Sequence, residues 1–129
     1  MCNENLVDRI RKLCEAKLYD EALELLAAEV PEGAMLPDML ILKAHLIQLS
    51  SDESPYELGD APRLYELATK LAPDAHEPLY ESGMYHMNVQ DDPRKGLEYL
   101  CRARDVLVAQ LESTKDAIRE CERELDIHA

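Results

Sequence analysis

Four histidines and four cysteines are the side chains here whose types could support metal or nucleophilic chemistry: His45, His76, His86, His128, Cys2, Cys14, Cys101 and Cys121. Zinc is held by such groups at short spacings, as in Cys-x-x-Cys, His-x-x-x-His or His-Glu-x-x-His. None of those spacings occurs, so no metal site is expected. Cys14, Cys101 and Cys121 fall on apolar helical positions, where free thiols are commonly buried, and no disulfide framework is implied. His76 reads as a solvated member of a helix first turn. A Cys14–His45 pair would be nucleophilic only with a third group to orient the imidazole, and none is evident. There is no glycine-rich phosphate loop and no Gly-x-Ser-x-Gly elbow. Acidic pairs such as Asp91-Asp92 fall at helix starts, where negative charge favours the dipole. The expectation is a non-enzymatic protein with no catalytic residue, no metal and no cofactor.

The elements that carry these residues are helical. The 129 residues suit a single domain of 1–129, and an apolar fraction of 47% is ordinary for a globular chain. Phe and Trp are absent while Leu and Ala are abundant, which favours helix over strand. A net charge of −13, spread through both halves, repels phosphate backbones and anionic lipid. Nucleic acid and membranes are therefore excluded as expected partners, and a basic or amphipathic protein segment is favoured. The longest apolar stretch, Met39–Leu49, is interrupted by Lys43 and His45 and is too short to span a bilayer. The polar N-terminus carries no apolar signal core, and a reducing cytoplasm is the expected compartment.

Apolar residues recur at three-and-four spacing almost throughout. A first helix over about 3–16 groups Leu6, Ile10, Leu13 and Cys14, and a second over 19–30 groups Ala22, Leu25 and Leu26. Pro31 and Gly33 stop it, and Pro37 opens a third helix over 37–50 with Leu40, Ile41, Ala44 and Ile47. A polar loop, Ser50–Gly59, precedes a fourth helix over 61–72, for which Asp60 is the expected cap. Asp74 with Glu77 has the form of a capping box for a fifth helix ending near Asn88. Asp92-Pro93 opens a last helix over about 93–126. Ser113-Thr114 leaves open a division of that last segment into two helices.

Small residues mark an internal period: the interval from Ala22 to Ala44 equals that from Ala61 to Gly83, and all four sit near the middle of successive helices. Small side chains let helix axes approach where they cross. The phrase Tyr19-Asp20-Glu21-Ala22-Leu23 and the run Ala68 through Leu71 and Pro73, then Glu77, Leu79, Tyr80 and Gly83, carry the pattern further. Leu97-Glu98-Tyr99-Leu100 with Ala103 completes it. On these residues the chain resembles the tetratricopeptide repeat family over about 4–107. The resemblance implies an all-α, right-handed superhelix of antiparallel helix pairs. Its repeats would be 4–36, 37–75 and 76–108, with a C-terminal helix extension at 109–127. Departures are Glu29 at a usually small position, the early Pro31, about five extra residues within Ser51–Gly59, one near Asp91-Asp92, and His86 in place of a large aromatic. The resemblance puts His86 at a core position, which implies a hydrogen-bonded buried histidine rather than a ligand.

In that family the first helix of each repeat lines a concave groove that receives a peptide or helix. The corresponding positions are Val7, Arg11 and Cys14; Ile41, His45 and Gln48; and Tyr80, Met84 and Met87. Methionines there adapt to irregular partner surfaces. A clamp for a terminal carboxylate is disfavoured, because Arg11 and Asn88 provide few donors. The implied role is an adaptor or scaffold; a small acidic chaperone or inhibitor that sequesters one partner is the alternative, and an enzyme accessory domain is a further one. The stripe Ile118, Cys121 and Leu125 either caps the last repeat or packs on a second copy of the chain as a homodimer.

Overall fold

A computed structural model describes residues 5–127, in which helices, turns and loops occur and no strand does. Six α-helices follow in order: α1 (Leu6–Glu15), α2 (Tyr19–Glu29), α3 (Pro37–Leu49), α4 (Asp60–Leu71), α5 (Glu77–Asn88) and α6 (Pro93–Ile127). They form two compact units, one ending at Pro73 and one starting at Asp74. Cys2 and His128 lie outside the described residues.

In the first unit, α1 starts at Asn5, whose side-chain oxygen accepts the Asp8 N–H at 2.8 Å, as a capping residue does. It ends in a Schellman turn. There the Leu18 N–H donates to the Leu13 carbonyl at 2.8 Å and the Lys17 N–H to that of Cys14 at 2.9 Å. This turn places Lys17 at φ 59°, a left-handed conformation that normally falls to glycine. The chain then reverses into α2, which packs against α1 and α3 and buries Ala22, Leu23 and Leu26. Pro31 interrupts it, a single 3₁₀ turn covers Glu32–Ala34, and Pro37 occupies the first turn of α3.

Helix α3 is the centre of this unit. Leu40, Ile41, Ala44, Leu46 and Ile47 are buried around much of its circumference, against α2 and α4. A helix that is apolar on most sides is an interior helix. From α4 come Ala61, Leu64, Tyr65 and Ala68, whereas Leu71 is exposed. Each fully buried leucine contributes about 1.5–3 kcal/mol relative to exposure. The loop after α3 is fastened from α2. The Asp20 carboxylate accepts the Ser51 hydroxyl and, at 2.8 Å, the Ser51 N–H, and these bonds hold its carboxyl below the usual range.

Two expected caps are corrected. Asp60 does not cap α4 but is its first residue, and its carboxylate accepts the Glu57 N–H of the preceding turn at 2.9 Å. Asp74 and Glu77 form no capping box. Helix α5 begins at Glu77 after His76, whose side chain makes no cap bond. Asp and Ser favour turns as readily as caps, and here the turn prevails. Asp92 does behave as expected, accepting the Lys95 N–H at 3.1 Å at the head of α6.

The second unit is the α5–α6 pair. Its connection turns at Asp91, φ 51°, with the Asp92 N–H donating to the His86 carbonyl at 2.8 Å. The helices cross on two glycines. A Cβ at Gly83 would lie 2.7 Å from Leu100 Cγ and 3.1 Å from the Gly96 carbonyl oxygen, and one at Gly96 would lie 3.0 Å from the Gly83 carbonyl oxygen. Helix α6 then runs unbroken for 35 residues. Ser113-Thr114 caps no separate helix. The Thr114 hydroxyl instead donates back to the Gln110 carbonyl at 2.8 Å within the helix, a bond that competes with capping.

Candidate functional site

The nine expected groove positions divide between the two units. On α1, Val7 is 60% exposed and Cys14 half-buried, while Arg11 pairs with Asp8 at 3.1 Å and Glu15 at 4.0 Å on its own helix. On α3, Ile41 is buried and belongs to the core. His45 meets the Tyr65 ring edge-on at 5.8 Å, and the Gln48 amide donates to the Tyr65 hydroxyl at 2.8 Å. These two side chains therefore hold α3 against α4 as well as reaching toward the surface. Burial pushes the Cys14 thiol up, which suppresses the thiolate that a nucleophile would need.

In the second unit Tyr80 and Met87 are 47% and 38% exposed on α5, with Met84 between them half-buried. The same helix supplies Leu79, Ser82, Gly83 and His86 to the interior, and Met87 borders the α5–α6 crossing, where a Cβ at Gly96 would lie 3.2 Å from its Cβ. His86 is buried as expected of a core histidine. Its Nδ1 lies 3.0 Å from the Gln90 side-chain oxygen, and its ring stacks on Tyr99 with centroids 5.3 Å apart.

Two of the clefts in the first unit are lined by none of the expected groove residues. One, of about 560 Å³, lies along α1 and α2 beside Arg9, Leu13, Glu21 and Leu25. The other, of about 470 Å³, lies between α2 and the Ser50–Gly59 loop, with Asp20, Glu24 and Glu53 beside Leu23, Pro55 and Tyr56. Among the described residues no group of three or more His, Cys, Asp and Glu side chains could hold a metal ion.

One ionic cluster escaped the sequence reading. Lys43, only 5% exposed, directs its ammonium at Glu32 Oε1, 3.4 Å away, and at the face of the Tyr56 ring, 4.7 Å from its centroid. Arg63 grips the same carboxylate with two parallel bonds of 3.0 Å. The Arg63 hydrogen bonds hold the Glu32 carboxyl below its usual range, and the pairing raises Arg63 in turn. The lysine that interrupts an apolar run was the visible signal. Its partner lies in a turn 11 residues earlier, a separation with no periodic signature.

No family model, curated protein or solved structure matches this chain.

The second candidate surface is the distal part of α6. Its buried residues are Gly96 and Ala103, and every described residue from Leu107 onward is exposed. Ile118 and Leu125 are 52% and 71% exposed, and Cys121 is exposed rather than buried. The expectation for Cys121 fails because the helix outruns the α5 face it packs on; a periodic apolar position is buried only where a neighbour exists. No helix among the described residues is long and apolar enough to cross a membrane.

Proposed function

We propose that this chain is a tetratricopeptide-like helix-pair protein that binds a segment of another protein on the outward side of its first helices. Its role is that of an adaptor or scaffold without catalytic activity. The observation that carries this reading is the division of residues on the helices themselves. The small residues of the internal period, Ala22, Ala44, Ala61 and Gly83, are all buried. Val7, Tyr80 and Met87, assigned to the partner face, are left exposed. Large apolar side chains displayed beside polar ones suit an amphipathic helix or peptide. The net charge of −13 favours a basic segment and disfavours nucleic acid and anionic lipid.

The test is affinity capture from the native host by the full chain and by a Tyr80→Asp/Met87→Asp variant, read by mass spectrometry. A stoichiometric partner retained by the native chain and lost by the variant is the expected result. Equal capture by both would refute the assignment of the face. A single client would identify the sequestering chaperone form of this role, and several clients the adaptor form.

A further inference from the structure

We infer that the distal half of α6 is a parallel, in-register two-stranded coiled-coil seam whose partner is a second copy of this chain. Leu111, Ile118 and Leu125 repeat every seven residues, and Leu107, Thr114 and Cys121 repeat between them. In heptad terms the first set occupies position a and the second position d. Such a stripe on a continuous helix is self-complementary, because each residue meets its own copy across the seam.

The flanking charges choose the orientation. Positions e hold Val108, Lys115 and Glu122, and positions g hold Gln110, Ala117 and Glu124. In a parallel pair, g meets the following e of the partner helix: Gln110 faces Lys115 and Ala117 faces Glu122, with no like charges opposed. In an antiparallel pair, Lys115 would face its own copy at the centre, and Ile118 would be set against Thr114. A β-branched residue at a, here Ile118, also suits two parallel strands. The basic groups of this segment also pair along the helix itself: Lys115 with Glu112 at 3.4 Å, and Arg123 with Glu120 at 3.2 Å. Arg119 likewise pairs with Asp116. They lie away from positions a and d, leaving the stripe uncharged.

The area fits a reversible dimer. From Leu107 to Leu125 the seam is about 27 Å long, and half the circumference of a helix over that length is roughly 400–500 Å² per partner. That falls below the ~800 Å² per partner of a standard stable interface, so the proposed dimer is a weak one, and micromolar is taken as its scale for the test. Two bodies of charge −13 side by side oppose it, so salt should tighten the association by screening them.

The full chain tests this by sedimentation equilibrium up to about 100 µM, a range that populates a micromolar dimer. The native chain should dimerise, with a several-fold lower Kd at high salt, and Ile118→Asp should weaken it at least tenfold while leaving the monomer's near-ultraviolet spectrum unchanged. In-register pairing also brings Cys121 against its own copy. Oxidised glutathione, which accepts the two electrons, should convert the two thiols into one disulfide between chains. That product should disappear in Cys121→Ser and persist in Cys2→Ser. A monomer at every concentration, or a dimer unaffected by Ile118→Asp, would overturn the proposal. So would a dimer that forms no Cys121 disulfide, which would mean an antiparallel seam. A monomer whose distal helix captures a different protein in an Ile118-dependent manner would also overturn it.

Discussion

Glu32 is a single carboxylate that serves two cations, and its removal should cost more than the removal of either. Glu32→Ala leaves Lys43 buried without an anion and should cost about 2–3 kcal/mol, the value for a broken buried pair reduced for the carboxylate's partial exposure. Lys43→Met keeps the buried stem, and Glu32 keeps Arg63, so that change should cost under about 1 kcal/mol. Urea denaturation of the two variants checks the order. The pairing also makes stability depend on pH in a fixed direction. Because the folded Glu32 carboxyl is lowered, its contribution is complete above the unfolded value of about 4.3 and is lost as pH falls through the folded one. The stability difference between native chain and Glu32→Gln should accordingly shrink on acidification below about pH 4. Gly83 offers a second test. Alanine there raises helix propensity but drives a methyl into Leu100 and the Gly96 carbonyl, and a net loss of about 1–3 kcal/mol in the same assay is expected. At Lys17, glycine relieves a left-handed conformation and should stabilise by about 0.5–1 kcal/mol.

The helices themselves were readable from periodicity because Leu, Ile and Ala at three-and-four spacing bury one face whatever they pack on. Their caps were less readable. Asp60 and Asp74 have the right side chains at the right offsets, yet the first receives a turn N–H and the second stands ahead of the helix. Local polar residues can satisfy several nearby donors, and which donor wins depends on the path of the loop. The glycine at position 83 was recognised as a crossing residue, but its counterpart Gly96 was not, since a crossing needs two surfaces and the period marks only one. Exposure along α6 was hidden for a related reason. A seven-residue stripe records where a helix would be buried and carries no information on where its neighbour ends. The described segment after Leu111 has no residue buried, so its amides should exchange faster than those of Gly96–Ala103 in the monomer and slow down on dimerisation.

The chain is acidic, its described residues hold α-helices and no strand, and it divides at Pro73 into two compact parts. The all-α class was carried by composition and pattern together. The proposed repeats rest on four small residues, and the identity of the proposed partner has no sequence signal, since a surface of mixed side chains accepts many segments. The most direct measurement is hydrogen exchange on the complex with the protein captured from the host, compared with the chain alone. Protection concentrated in α1, α3 and α5 is the expected result. Protection confined to α2 and α4, or spread evenly over all helices, would contradict the assignment of the binding face.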